Sequence, residues 1–275
     1  EDIHLDELTG IEPTAENISS YDVFWFYIRF HPQIYLELKS HFPDKVFWFG
    51  PNALLEKGEQ GPSDEWENWF VGNIEGHVYC NNSKYYMDHV TSFFKKENHN
   101  VVIPYCIDVN DFDEAGQEKD IDCLVYRKRR RNDDFYPYLE DELLEMLEDS
   151  NLNIDSVIYG NHKREEYVDK LKRSKCVAWL SIEDYCSAAQ LEAMAHDCVI
   201  IGTPYNLTHT FSDISYVDAQ TFSSEEWIKW KDTAAKSYFD RIIEVCKNCN
   251  EYVGVPKKYI IDNHSYTAYS DRIMS

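Results

Sequence analysis

Apolar runs alternate with polar, periodic stretches through the second half of the chain, from about residue 120. Short apolar runs bounded by turn residues are typical of buried strands, and apolar residues recurring every three or four positions are typical of helices. The predicted strands are DCLVY (122–126), IDSVIYG (154–160), CVAWLS (176–181), CVIIGT (198–203) and ISYVDA (214–219). The predicted helices span 137–149, 163–173, 187–197 and about 224–247. This alternation predicts βαβ units on a parallel sheet that helices cover on both faces.

The first hundred residues follow the same pattern less completely. Their predicted strands are YDVFWFYI (21–28), KVFWFG (45–50), GHVYC (76–80) and NVVIP (100–104), and their predicted helices span 32–42 and 83–96. The charged stretch 104–120 is interpreted as a linker. We therefore predict an α/β protein with two facing Rossmann-like domains, over 1–106 and 107–258, and a terminal helix over 259–275 that crosses back onto the first domain.

Composition narrows the class of protein and of partner. The chain has 275 residues, of which 43% are hydrophobic, and this is enough for a sizeable core. The formal net charge of −23 disfavours nucleic acid and anionic membrane surfaces as partners. No apolar run is long enough to span a bilayer, and the first residues, beginning at Glu1, have no signal-peptide pattern.

The cysteines and the glycosylation sequons indicate different compartments. Most of the eight cysteines lie in or beside apolar segments, as reduced buried thiols do. Four Asn-x-Ser/Thr sequons indicate a secreted protein instead, and they begin at Asn17, Asn81, Asn206 and Asn263. Because such triplets are common by chance, the prediction is a reducing cytoplasm. The CKNC segment (246–249) is interpreted as two structural cysteines.

The clearest candidate for a binding site follows the strand VAWLS (177–181), where the loop IEDYC leads into the helical segment SAAQLEAMAHD. Ligands of open parallel sheets bind beyond the carboxyl ends of the strands, where helices begin. Ser187 and Gln190 have the spacing of a capping box, which predicts that the helix begins at Ala188. The backbone N–H groups of the first helical residues would then meet an anion, and their small side chains would let a bulky ligand approach.

Glu192 lies four residues after Ala188, on the same face of the predicted helix and about 6 Å further along its axis. This distance is about that between a phosphate and the adjoining ribose of a nucleotide. Leu191, Met194 and Ala195 form the core-facing stripe and leave Glu192 out of it. From spacing alone, the simpler interpretation is that Glu192 is an ordinary solvated glutamate and Asp184 an ordinary loop acid.

A run of five basic residues follows the first strand of the same domain, in YRKRRR (126–131). One interpretation is a solvated loop that balances nearby acids such as Asp133, Asp134 and Glu140. The other is a clamp for a diphosphate, because guanidinium groups match phosphate oxygens. The run and the helix start fall on the same edge of one predicted sheet, and together they predict a nucleoside-diphosphate site.

The segment VAWLSIEDYCSAAQLEAMAHDCVIIGT resembles the donor-site signature of GT-B-fold glycosyltransferases, especially the retaining enzymes of glycosyltransferase family 4. The shared pattern is an acid, seven residues, a glutamate within LEAMA, a small turn and a VI strand. NVVIPYCIDVNDF (100–112) is similar to the segment that joins the two domains in that family, and YG at 159–160 matches the end of a strand. The resemblance covers about residues 20–203 and places the donor site in the carboxyl-terminal domain.

The resemblance also implies roles for single residues. Glu192 would bind the ribose hydroxyls, Asp184 or the neighbouring Glu183 would lie near the donor sugar, and Arg127 with Arg131 would neutralise the diphosphate. The full set of implied nucleotide contacts is Glu192, Arg127, Arg131, Cys186, Ser187, Ala188, Tyr159 and Gly160. Compact members of this kind also occur in large DNA viruses, which is one origin consistent with the resemblance.

The sequence departs from the family pattern at several positions. The first acid is an aspartate, one carbon shorter, and two loop glycines are replaced by Tyr185 and Ser187. The second member of the basic pair would fall at Asn132. Phe49 takes the place of a histidine that often follows a strand of the amino-terminal domain, and the family's glycine-rich loop is not visible in this sequence.

The resemblance implies a glycosyltransferase that moves a hexose from a UDP- or GDP-sugar to a glycan, protein or small-molecule acceptor, with retention of configuration and no metal or other cofactor. The acidic triplets DFD (111–113) and DID (120–122) are accordingly interpreted as solvated acids. The alternatives are a sugar-nucleotide epimerase of the same architecture and a catalytically silent sugar-nucleotide-binding protein. Dehydrogenases, P-loop NTPases and serine hydrolases have no motif here.

Overall fold

The computed structural model describes residues 19–26, 32–50, 65–81, 87, 91–92, 94–103, 105–112, 118–127, 136–180, 188–202 and 224–274. The chain divides into two compact units, Glu1–Ile103 and Pro104–Ser275. Each unit contains a four-stranded sheet in which every described strand pair is parallel. The predicted α/β class with parallel sheets is therefore confirmed.

The first unit contains β1 (Val23–Phe26), α1 (Pro32–His41), β2 (Val46–Phe49), α2 (Glu65–Asn73), β3 (Val78–Asn81) and β4 (His99–Val102). Its strands lie in the order β1-β2-β3-β4, so each strand pairs with the next one along the chain. The four predicted strands are confirmed, whereas α2 was not predicted. The predicted helix over 83–96 lies largely outside the described residues.

The core of the first unit is aromatic because β1 and β2 have the same sequence, VFWF, and pair in register, residue for identical residue. Side chains alternate between the faces of a strand, so the four phenylalanines share the buried face. Phe26 stacks on Phe49 with their ring centroids 5.5 Å apart. Phe49, which stands where the resembled glycosyltransferases often have a histidine, is fully buried in this core.

His77, directly before β3, is buried in this aromatic core with a side chain that is only 4% exposed. Its ring lies edge-on to those of Phe47 and Phe49, at 5.3 and 5.9 Å. Its Nε2 lies 3.4 Å from the hydroxyl of Tyr35, and its Nδ1 has no hydrogen-bond partner among the described residues. Burial, with a smaller contribution from the positive charge of Lys39, lowers the pKa of His77 to about 4.

His77→Leu is expected to remove part of the acid sensitivity of the first unit. A histidine whose folded pKa lies below its unfolded value of about 6.5 contributes stability that is lost as the pH falls from about 6.5 towards 4. Between pH 7.5 and pH 5.0, His77 is expected to lower the free energy of unfolding by about 2 kcal/mol. Urea unfolding at both pH values measures this as the extra loss of unfolding free energy in wild type compared with the variant. His99→Leu, at an exposed histidine of the same unit, is the matched control; an equal effect of both substitutions would contradict the prediction.

The second unit contains β5 (Ile121–Arg127), α3 (Tyr136–Glu148), β6 (Ile154–Ile158), α4 (Arg164–Arg173), β7 (Ser174–Leu180), α5 (Ala188–Ala195), β8 (Val199–Ile201), α6 (Ser224–Lys247), α7 (Cys249–Tyr252), α8 (Val255–His264) and α9 (Tyr266–Met274). The strand order is β6-β5-β7-β8, with β5 and β7 in the middle. These elements confirm four predicted strands and all four predicted helices of this region. The strand predicted over 214–219 lies outside the described residues.

Helices cover both faces of this second sheet. On one face, alternate residues of β5 and β7 pack with side chains of α3 and α6, including Leu143 and Ile242. On the other face, the intervening strand residues pack with α4, α5 and α8, including Leu191 and Ile260. The near-continuous apolar strands follow from this arrangement, because neither face of the sheet meets water.

The stretch predicted as a linker, 104–120, contributes to the second unit. Residues Val109–Phe112 form a 3₁₀ turn, and Ile107, Val109 and Phe112 pack against the core. The N–H of Ile107 donates to the carbonyl of His264, at 2.9 Å.

The predicted terminal helix over 259–275 contains the end of α8 and the whole of α9. Its crossing onto the first domain stays a prediction. Among the helices that the structure describes, none is both long enough and apolar enough to cross a membrane.

Candidate functional site

The candidate site lies at the carboxyl edge of the second sheet, where β5 ends at Arg127, β6 at Ile158 and β7 at Leu180. Helices α4 and α5 follow β6 and β7 and begin beyond this edge. Tyr159 and Gly160 follow β6, and the N–H of Tyr159 donates to the carbonyl of Arg127 at 3.0 Å. Gly160 has a φ of +83°, so it turns the chain from β6 towards α4 in a conformation that favours glycine.

Helix α5 spans Ala188–Ala195, and Ser187 of the predicted capping box lies outside the described residues. Leu191, Met194 and Ala195 are buried, and Ala188 is exposed. The side chain of Glu192 is 13% exposed, and its Oε1 lies 2.7 Å from Nη1 of Arg164. The simple interpretation of Glu192 as a solvated glutamate is therefore wrong, because its carboxylate is mostly buried and paired.

Arg164 is the first residue of α4, and its side chain is 65% exposed. The largely solvated side chain of Arg164 therefore contacts the mostly buried carboxylate of Glu192. Because the guanidinium of this ion pair is largely in water, the pair contributes little to stability, about 1 kcal/mol. Its main effect is to orient the carboxylate of Glu192, whose oxygens can accept hydrogen bonds from a ligand.

Tyr167, one turn after Arg164, ties α4 to the start of α5. Its hydroxyl donates to the carbonyl of Ala189 at 3.0 Å. Burial, and to a smaller extent the neighbouring Tyr126 and Glu192, raises the pKa of Tyr167 well above its usual range. The hydroxyl consequently keeps its proton and remains a donor, which holds the first turn of α5 in place.

An aromatic group lies beneath this edge. Tyr126 of β5 stacks on Trp179 of β7 with ring centroids 4.0 Å apart, and His162 lies edge-on to Tyr126 at 6.5 Å. The Nδ1 of His162 is 2.8 Å from the carbonyl oxygen of Ile158. These rings make the end of the sheet rigid and keep the loop before α4 against it.

Arg127 lies at the end of β5 with a side chain that is 15% exposed, and it forms an ion pair with Glu140 of α3. Glu140 is itself only 2% exposed. Arg127 therefore pairs with Glu140, one of the acids named for a solvated loop, but the pair is mostly buried and the rest of the basic run lies outside the described residues. Removing one partner of such a pair would leave an uncompensated buried charge. The role of Arg127 in neutralising a diphosphate stays a prediction.

The structure brings some of the predicted site residues together and leaves others untested. Glu192 shares α5 with Ala188, and Arg127 meets Tyr159 through the backbone. The remaining candidates lie outside the described residues, and their roles stay predictions: Arg131, Glu183, Asp184, Cys186 and Ser187. Sequence reasoning missed Arg164 and Tyr167. A search for polar residues in the first turn of every helix that begins at this edge would have found them.

Two acids of the DID triplet lie at the opposite, amino edge of the sheet and are engaged in ion pairs. Asp120 pairs with Arg173 at 2.6 Å, and Asp122 pairs with Lys175 at 2.6 Å. Nearby, the thiols of Cys176 and Cys246 donate to the carbonyl of Asp122, at 3.2 and 3.5 Å. Every cysteine that the structure describes is a free thiol, and Cys246 packs against the core, as expected of a structural cysteine.

No family model matches the sequence, and a search of curated proteins finds no match. Among solved structures, the fold is similar to that of a mutant of S. aureus TarM in complex with fondaparinux, alpha-GlcNAc-glycerol and UDP, with a TM-score of 0.55 and 12% identity over 86% of this chain and 53% of that one. The pneumococcal O-GlcNAc transferase GtfA, in complex with UDP and GlcNAc, gives a TM-score of 0.48 and 9% identity over 86% of this chain and 55% of that one. The amino-terminal domain of Candida albicans trehalose-6-phosphate phosphatase gives a TM-score of 0.46 and 11% identity over 90% of this chain and 71% of that one.

The protein is thus a mixed α/β protein with parallel sheets, and its fold is similar to that of the S. aureus TarM structure. The chain spans about half the length of the TarM and GtfA structures, 53% and 55% respectively.

Proposed function

We propose that this chain is a glycosyltransferase that moves a hexose from a nucleoside-diphosphate sugar to an acceptor, and that the nucleotide binds at the carboxyl edge of the second sheet. One observation carries the proposal: Glu192, a mostly buried carboxylate oriented by Arg164, lies on the helix that begins at this edge. The likeness of the fold to TarM, whose structure contains UDP, supports it. The donor carries UDP or GDP, and the acceptor is a glycan, a protein or a small molecule.

The chemistry follows from the positions of these groups. The two oxygens of Glu192 accept hydrogen bonds from the neighbouring hydroxyls of a ribose, and the N–H groups of Ala188 and Ala189 meet the diphosphate at the positive end of the helix dipole. Arg127, whose charge is balanced by Glu140, and Arg131 of the following basic run donate guanidinium N–H groups to the diphosphate. Asp184 or Glu183 lies beside the sugar and stabilises the positive charge that develops on its anomeric carbon.

In the transfer step, the bond between the anomeric carbon and the diphosphate oxygen breaks, and the diphosphate leaves with the electron pair. The acceptor hydroxyl forms the new bond on the same face of the sugar, which gives retention of configuration, and its proton passes to the departing diphosphate oxygen. The positive charges and backbone dipoles around the diphosphate stabilise the departing group, so the reaction proceeds without a metal.

A thermal-shift screen with UDP, GDP and ADP, followed by incubation with UDP- and GDP-sugars, tests the proposal. A nucleotide at 100 times its Kd stabilises the folded state by about 2.7 kcal/mol, which raises Tm by several degrees. We expect UDP or GDP to do so and ADP not, and we expect the matching sugar nucleotide to release free nucleoside diphosphate slowly, at a rate that EDTA leaves unchanged. A changed sugar would indicate an epimerase instead, and binding without turnover a silent binding protein. No stabilisation by any of the three nucleotides would contradict the proposed site.

A further inference from the structure

Three thiols of the second unit come together near the amino edge of its sheet. Cys123 of β5 and Cys176 of β7 lie opposite each other in register on neighbouring parallel strands. Both are fully buried in the core on the face that α3 and α6 cover. Cys246, in the last turn of α6, packs against the same core. The folded chain therefore gathers oxidisable groups from three separate elements.

Cys176 and Cys246 are joined by a shared acceptor and by direct contact. The carbonyl oxygen of Asp122 accepts a hydrogen bond from the thiol of Cys176 at 3.2 Å and from that of Cys246 at 3.5 Å. The two thiols also hydrogen-bond to each other. A disulfide needs two sulfurs that can approach to about 2 Å. Because a strand and a helix of one core carry these two sulfurs, folding itself brings them into contact.

The two thiols of this pair differ in accessibility and in acidity. Cys176 is 0% exposed, whereas Cys246 is only partly buried. Hydrogen bonds with Cys123 and Cys246, together with burial, raise the pKa of Cys176 well above its usual range. The hydrogen bond with Cys176 lowers the pKa of Cys246, although burial and the charge of Asp122 oppose this effect. The more accessible thiol is thus also the one that more readily becomes a thiolate, the form that reacts with oxidants.

Spacing along the chain would suggest a different partner for Cys246, namely Cys249, because CKNC has the CxxC pattern of redox-active pairs. Cys249 begins α7, and Asn248, with a φ of −110° and a ψ of +23°, interrupts the helix between the two cysteines. The thiol of Cys246 hydrogen-bonds with Asp122 and with Cys176. The structure therefore favours a link between β7 and α6 over a link within CKNC.

We infer that Cys246 and Cys176 form a reversible disulfide when the protein meets a peroxide. The thiolate of Cys246 attacks one peroxide oxygen, the O–O bond breaks, and the other oxygen leaves as hydroxide or alkoxide, which gives a sulfenic acid. The sulfur of Cys176 then attacks the sulfur of Cys246, so that the S–S bond forms and the S–O bond breaks. The proton of Cys176 passes to the departing hydroxyl, which leaves as water. This chemistry needs no nucleotide, so it is independent of the proposed transferase activity.

Peptide mapping of the native protein after mild treatment with hydrogen peroxide tests the inference. Free thiols are blocked with N-ethylmaleimide, and digestion with trypsin and chymotrypsin places Cys123, Cys176, Cys246 and Cys249 in separate peptides. Mass spectrometry is expected to find a link between Cys176 and Cys246 as the main disulfide of the treated protein. Dithiothreitol is expected to remove this link. The measurement uses the unaltered chain, so it does not depend on the folding of a variant.

Three serine variants identify the role of each thiol. Cys176→Ser should remove the link and leave the sulfenic acid of Cys246 unresolved, so its labelling by dimedone is expected to rise at least about fivefold over wild type. Cys246→Ser should also remove the link, without dimedone labelling of Cys176, because that thiol is fully buried. Cys249→Ser is the matched control, since it removes the other partly buried cysteine of CKNC. It should leave the yield of the link within about twofold of wild type.

Several results would overturn the inference. One is a main disulfide between Cys246 and Cys249, or between Cys123 and Cys176, in the treated wild-type protein. Another is loss of the link between Cys176 and Cys246 in a folded Cys249→Ser protein. The inference also fails if Cys246 of the treated wild-type protein stays a free thiol, or if it accumulates as a sulfenic acid without forming a disulfide.

Discussion

Glu192→Ala is expected to lower the turnover of the nucleotide sugar by at least about 100-fold while the protein stays folded. Hydrogen bonds to a charged group contribute about 1.5–3 kcal/mol each, and the carboxylate of Glu192 would accept two from the ribose. The substitution removes both and leaves Arg164 without its carboxylate. Because Arg164 is 65% exposed, water can solvate it, and the fold loses little. Release of nucleoside diphosphate and the affinity for the nucleotide measure the effect, with circular dichroism as the check on folding.

A set of variants separates binding by Glu192 from a general effect of removing acids. Glu166→Ala removes a glutamate of α4 that is 55% exposed and pairs with Lys170, so it should leave turnover near wild type. Arg164→Ala should weaken nucleotide binding, but only in the presence of Glu192, because we expect Arg164 to act by positioning that carboxylate. A double-mutant cycle tests this dependence. Unchanged turnover in a folded Glu192→Ala protein would refute the nucleotide site.

Much of the second unit could be predicted because its strands are buried on both faces. A strand such as β7 then consists almost entirely of apolar residues, and the polar helices on either side make it stand out. Glu192 could be predicted for a related reason, since the apolar stripe of α5 leaves this position out of the core. Helix α2 was missed because its aromatic residues and Gly72 have low helix propensity, and packing on the core, such as that of Phe70 on Phe49, stabilises it there.

The partners of the site residues could not be predicted, because they come from other elements. Glu192 meets Arg164 from α4, and Arg127 meets Glu140 from α3. Spacing along one element identifies residues that share a face, but it says nothing about which helix lies opposite.

Gly50→Ala is expected to destabilise the first unit by about 3 kcal/mol or more. Gly50 follows β2 with a φ of +106°, a conformation that residues with a side chain rarely adopt. A Cβ atom at this position would overlap the carbonyl oxygen of Cys80 and lie 2.9 Å from its carbonyl carbon. The backbone cannot easily yield, because the N–H of Gly50 donates to Phe26 at 3.1 Å and its carbonyl accepts from the indole of Trp25 at 2.7 Å. Chemical denaturation measures the loss as a change in the free energy of unfolding.

Gly76→Ala is the matched control for this prediction, because it separates backbone strain from steric overlap. Gly76 also has a positive φ, +71°, but a Cβ atom there would meet nothing within 4 Å. Its replacement should therefore cost only the strain of a left-handed residue, about 1–2 kcal/mol. If overlap with Cys80 contributes more than backbone strain, Gly50→Ala must lower the free energy of unfolding clearly more than Gly76→Ala does. Gly50→Val must then lower it further still. Equal losses for Gly50→Ala and Gly76→Ala would mean that strands β1 to β3 can move apart to admit a methyl group, which is at odds with the close packing of their aromatic core.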